Sequence, residues 1–142
     1  MKDSEWAGIL DQMDRNEEHL RTLGPEEPGP RSARCSESLH RTLGHLRACQ
    51  ETWLEACLAM ARTENPSLKL LHPWRIFEQR SYHLEPWDDH LRTFLSDRAK
   101  WKGLLEETER SRMGKVNGTA HSIESLTRRL VLHEAQHLFP KK

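Results

Sequence analysis

Apolar side chains recur at three- and four-residue intervals over four separate stretches of this chain, a periodicity that admits little besides amphipathic helices packed side by side. The first stretch runs from roughly residue 4 to 23, with Trp6, Ile9, Leu10, Met13, Leu20 and Leu23 on one side. Gly24, Pro25, Pro28, Gly29 and Pro30 then break any regular backbone and are read as a connecting loop. The longest helix is expected from near Ser36, read as its N-cap, to about Arg62, with Leu39, Leu43, Leu46, Trp53, Leu54, Cys57 and Met60 on a broad apolar face. A third is expected from about Pro86 to Arg112, carrying Trp87, Leu91, Phe94, Leu95, Trp101, Leu104 and Leu105, with GKVNGTA as its terminator. The fourth follows Ser122 and continues to about Phe139 on a stripe of Ile123, Leu126 and Leu130. Between the second and third, Pro66, Pro73 and Pro86 punctuate a long crossover in which one helical turn is expected near Trp74 to Arg80. Strand signals are few and no internal repeat is visible. Four such stripes bury against one another in an all-α four-helix bundle with one long crossover, and 142 residues suit a single domain spanning 1–142.

Charge and hydropathy narrow the partners. Lys and Arg total 22 against 22 for Asp and Glu, so no positive field gathers nucleic acid or an anionic membrane surface. The mean hydropathy of −0.85 and the lack of a long apolar run argue against a membrane span. The N-terminal sequence MKDSEWAGILDQMDRNEEHL is acidic where a signal peptide needs a basic segment, which points to the cytoplasm. The three cysteines agree: Cys49 and Cys57 are eight residues apart on one helix, about 12 Å and too far to bridge, and Cys35 is left over.

The chemistry concentrates in VLHEAQHLF. Continuing the fourth stripe from 123, 126 and 130 by steps of three and four reaches His133 and His137, so both imidazoles are expected to point into the bundle. Residues i and i+4 of a helix lie about 5–6 Å apart at Cβ, close enough for two ring nitrogens to share a metal ion. Nine histidines yield about half of one such pair by chance, so the placement on the stripe carries the argument rather than the spacing. The alternative is a hydrogen-bonded polar core. The same residues match the HExxH zincin pattern, with Glu134 as base, yet a zincin needs a further downstream ligand and the sequence stops five residues after His137. Glu134 is therefore expected to be a solvated carboxylate or one supporting a ligand. A third ligand should come from upstream. His45 stands among the small residues Thr42, Cys49, Thr52 and Ala56, a setting that suits a pocket with an open coordination position. His90, beside Phe94 and Trp101, is the main rival, while His19, His40, His72, His83 and His121 read as surface or loop residues.

Three runs, SESLHRTLGHLRACQETWL, FLSDRAKWKGLLEE and NGTAHSIESLTRRLVLHEAQHL, resemble in that order the DinB-like superfamily of bacterial metal-binding four-helix bundles. That resemblance implies an up-down-down-up topology, frequently a homodimer, and a three-His site mapping onto His45, His133 and His137. It also implies relatives proposed to be metal-dependent hydrolases or shown to transfer low-molecular-weight thiols. Cys35 stands where the family often has Trp, and the last helix stops at Phe139-Pro140 where the family commonly continues. The expected cofactor is one divalent metal, zinc or nickel first, with iron, manganese or copper as alternatives. The expected partner is a small-molecule or thiol substrate. A non-catalytic bundle braced by its ion is the competing class.

Overall fold

The computed structural model describes residues 1–140. Four long helices dominate it: α1 (Asp3–Thr22), α3 (Leu39–Arg62), α5 (Trp87–Glu107) and α6 (Ile123–Leu138). Two short ones, α2 (Pro30–Arg34) and α4 (Pro73–Gln79), lie in the loops before and after α3. A 3₁₀ turn at Tyr82–Leu84 completes the crossover. The helical turn expected near Trp74 is thus α4, started by Pro73 at its first position and capped by the His72 ring, which accepts from the Trp74 amide at 3.2 Å. Among the described residues no helix is long and apolar enough to cross a membrane.

One core joins all four long helices. Ile9 and Met13 of α1, Leu54, Cys57 and Met60 of α3, Trp101 and Leu104 of α5, and Leu126, Leu130 and Val131 of α6 form a single buried cluster. Trp101 is its largest member and is fully buried, its indole N–H donating at 3.1 Å to Thr127 Oγ1 on α6. A second cluster of Leu20, Leu43, Leu46, Trp87, Phe94 and Leu138 closes the other end. All three cysteines are free; the helical separation of Cys49 and Cys57 excludes a bond between those two.

The expectations differ from the structure in several places, and one is α2 itself, which forms at Pro30–Arg34 where a connecting loop is expected. The N-cap of α3 is Ser38, not Ser36: its hydroxyl accepts from the Arg41 amide at 3.2 Å and is itself held to Glu26 at 2.6 Å. Helix α5 ends at Glu107 rather than Arg112, because the following residues enter a small sheet. That sheet contains β1 (Ser67–Leu68), β2 (Met113–Val116) and β3 (Thr119–Ser122), with β1 and β2 parallel and β2 and β3 antiparallel. So the chain is mostly helical but not purely so, and GKVNGTA is the hairpin itself. Asn117 and Gly118 sit at its tip with φ of 52° and 85°, the left-handed geometry that an Asn-Gly pair supplies and that matches the strand twist. Asn117 then fastens the hairpin to the crossover, its side chain accepting from Leu70 N at 2.9 Å and donating to Leu70 O at 3.1 Å. Helix α6 follows directly from β3 through a capping box in which Ser122 and Ser125 exchange side-chain and backbone bonds, each 2.9 Å.

Since Trp101 fills the centre of the shared core, Trp101→Ala should lower stability by about 3–5 kcal/mol, the cost of a large buried aromatic plus the cavity it leaves. Denaturant unfolding followed by circular dichroism checks this, and a loss well below 1 kcal/mol would contradict the packing described.

Candidate metal centre

Glu134 sets the orientation of α6. Its side chain is fully buried and forms an ion pair with Arg98 of α5, which is equally buried. The other carboxylate oxygen accepts from Asn16 Nδ2 of α1 at 3.2 Å, while Arg98 also donates to Gln50 Oε1 of α3 at 2.7 Å and to the Met13 carbonyl at 3.3 Å. All four long helices therefore meet at one polar network inside an apolar core. From the sequence Glu134 is expected to be a solvated carboxylate or one supporting a ligand; it is neither exposed nor hydrogen-bonded to a histidine, but paired with Arg98 and Asn16. Both oxygens are engaged with groups of the core, and no carboxylate is left to act as the base of a zincin.

With Glu134 turned into the core, residues one before and three after it are rotated onto a common flank, given roughly 100° per residue. That flank carries His133, half-buried, and His137, exposed. The buried face of α6 is instead Ile123, Leu126, Thr127, Leu130, Val131, Glu134 and Leu138. The apolar stripe read from three positions thus lies slightly to one side of the true one, and the two histidines border the core rather than entering it.

His45 meets them from α3. It is buried at 5% exposure, with its Nε2 3.4 Å from His133 Nε2, and His133 Nε2 is 3.3 Å from His137 Nε2. The His45 ring stacks on Trp74 of α4 at a centroid distance of 3.9 Å and an interplanar angle of 10°. Arg41, one turn earlier, covers the same indole from 4.3 Å. The crossover thereby fixes the His45 ring plane. Gly44 permits this: a Cβ there would stand 2.7 Å from Phe77 of α4, so only glycine lets α4 approach α3 closely at this level.

Cys49 is a neighbour the sequence reading treated only as a small side chain. Its sulfur lies 3.6 Å from His45 Nε2, and His45, Cys49 and His133 can each present a donor atom with all three within 4.8 Å of one another. Its i,i+4 spacing from His45 was the available signal.

The donor set fits a divalent ion. Tetrahedral coordination with metal–nitrogen bonds of about 2.0–2.1 Å places nitrogens about 3.3–3.4 Å apart, the size of the His45–His133 and His133–His137 separations. A direct N–H···N bond would be shorter, about 2.9–3.0 Å, and one His133 nitrogen cannot serve two such partners well. Burial, helped by the neighbouring imidazoles and Arg41, pushes His45 down to about 3. Burial also lowers His133, with His137 and Arg129 adding to it, and lowers His137. The three rings are therefore neutral at pH 7, the form that ligates. Burial and the Glu134 charge push the Cys49 thiol up to about 12.

His90 is elsewhere. Its Nε2 donates to the Tyr82 carbonyl of the crossover at 2.7 Å and its Nδ1 accepts from Arg47 of α3 at 3.1 Å, so both nitrogens are spent. His40, read from sequence as a surface or loop residue, is fully buried on α3 and bonded to Ser32 and to the Glu85 carbonyl. It pins α2 and the crossover to α3.

The sequence profile of the DinB superfamily matches residues 10–138 of the chain. No curated protein and no solved structure matches it.

If the buried pair orients α6, Glu134→Gln should destabilise the fold by about 3–5 kcal/mol by leaving Arg98 buried without its counter-charge. Arg98→Met combined with Glu134→Gln should recover part of that loss. Chemical denaturation of the three variants tests this; additive losses would show the two side chains act independently. The match over residues 10–138, with the histidine cluster lying inside it, makes the chain a member of the DinB superfamily.

Proposed function

We propose that His45, His133 and His137 hold one divalent ion and that the protein uses it on a small molecule, as a metal-dependent hydrolase or a low-molecular-weight thiol transferase. The observation that carries this reading is the pair of nitrogen–nitrogen separations, 3.4 and 3.3 Å, matching the edge of a coordination tetrahedron. A divalent ion at this position supplies Lewis acidity, which lowers the pKa of a water or thiol in contact with it. The residues of the chain supply the rest. Three neutral imidazoles leave the ion its full double charge, Trp74 keeps the His45 ring in one plane, and Glu134 acts through α6 as a positioning residue. An open cavity beside His45 and His133, lined also by Trp53, His72, Trp74 and Arg129, gives a reactant access, which favours a catalytic site over an ion that only braces the core. The four long helices are read as the up-down-down-up bundle of the superfamily, acting in the cytoplasm as a homodimer, with zinc or nickel as the ion.

One observation supports a second ligand set. The Cys49 sulfur is as close to His45 as a fourth ligand would be, and a thiolate there would close the site and make it structural. The open cavity beside the cluster favours the three-imidazole site, since a closed four-ligand site would leave no position for a reactant.

Elemental analysis after purification without chelator and resupply of zinc or nickel should find about one ion per chain. His45→Ala, His133→Ala and His137→Ala should each lose most of it, while His90→Ala and Cys49→Ser retain it. Metal should also raise the melting temperature of the wild-type protein, because binding to the folded state adds about 2.7 kcal/mol at a hundredfold excess over Kd. A full complement of metal in His45→Ala would defeat the assignment, and its loss in Cys49→Ser alone would select the closed site.

A further inference from the structure

A second cavity, of about 240 Å³, adjoins the one at the histidine cluster. It lies between α3, the segment joining β1 to α4, the β2–β3 hairpin and α6, and the two cavities share Trp53, His72, Pro73 and Arg129. Three features of its wall are unexplained by folding. Thr52 is 94% buried, yet its hydroxyl has no hydrogen-bond partner and borders the cavity. Such a group costs about 1–3 kcal/mol when left unpaired, so it implies a partner that occupies the space. Arg129 lies over the Trp53 ring at 4.8 Å, at the junction of the two cavities, and among the described residues it forms no ion pair. Nine other Arg and Lys side chains of the described chain do pair with carboxylates. Finally, neither cavity has an acidic residue among its described lining residues, while His72 and His121 add donors, and Trp53, Leu70, Val116 and Leu126 add apolar wall.

We propose that this cavity binds a small carboxylate with an apolar body, its carboxylate on the Arg129 guanidinium and the Thr52 hydroxyl. Arg129 is suited to this because its guanidinium, held over the Trp53 ring, carries an N–H fork that can take a carboxylate bidentately. Trp53, by holding Arg129, makes the recognition pre-formed. The apolar wall then takes the body of the ligand, and the shared mouth beside His133 directs its free end to the histidine cluster. That last orientation rests on the reading of the cluster as a metal centre; the anion site itself does not.

The test uses phenylacetate and its neutral isostere phenylacetamide, titrated calorimetrically into the full-length protein, as purified with metal and after chelation. Phenylacetate should bind both forms at least tenfold more tightly than the amide. Arg129→Gln should remove that preference, and Thr52→Val, which keeps the side-chain shape, should weaken phenylacetate several-fold while leaving the melting temperature near that of the wild type. Equal binding of acid and amide, or phenylacetate binding unchanged in Arg129→Gln, overturns the proposal. Binding that appears only in the metal-loaded form and survives Arg129→Gln overturns it as well, while supporting the metal centre, since the carboxylate would then be held by the ion. No binding of either probe at millimolar concentration also overturns it.

Discussion

The arrangement depends on one buried ion pair. Arg98 and Glu134 are both fully excluded from solvent, and each spends its remaining capacity on a different helix, so that rotating any of the four long helices breaks a charge-assisted bond. Pairs of this kind contribute little net stability over an apolar equivalent, because desolvating two charges costs about as much as their attraction returns. What they supply is a single permitted geometry. An all-apolar α6 would tolerate small rotations, whereas a carboxylate that must find Arg98 and Asn16 does not.

That constraint reaches the histidine cluster through the helix itself. Glu134 directs its neighbours His133 and His137 to the flank facing α3, where His45 waits in a plane set by Trp74 and Arg41. The crossover, which carries no long helix, is thus part of the site. It provides the stacking partner for His45 and, with the β2–β3 hairpin, the outer wall of the cavity beyond it. Gly44 matters for the same reason, since any side chain there would push α4 and its aromatic residues away from α3.

Much of this was legible in the residues, in proportion to how local the signal was. The four long helices follow from apolar periodicity, and a helical turn near Trp74 to Arg80 is expected inside the proline-punctuated crossover, where α4 stands at Pro73–Gln79. The three histidines are read from spacing, small neighbours and family resemblance together; the structure places His133 beside both His45 and His137, while the donor group whose atoms all lie within 4.8 Å of one another is His45, Cys49 and His133. The hairpin was legible too, in Asn117-Gly118, but a turn signal flanked by strands of only four residues is easily taken for a helix terminator. The partnership of Glu134 with Arg98 was not legible. It joins residues 36 positions apart, and a charged residue on a helix looks the same in sequence whether it faces water or a buried counter-charge. His40 was misplaced for a similar reason, because its partners Ser32 and Glu85 lie in loops whose course periodicity does not describe.

The central claim, that three imidazoles converge on one ion with the Cys49 thiol left outside, is tested most directly by X-ray absorption at the zinc edge of the zinc-loaded protein. Three-imidazole ligation gives nitrogen scatterers with the outer-shell pattern of about three imidazoles at about 2.0 Å and no sulfur shell near about 2.3 Å. A sulfur contribution at that distance, lost in Cys49→Ser, would contradict it and identify a closed structural site; a signal dominated by oxygen without imidazole features would remove the histidines as ligands.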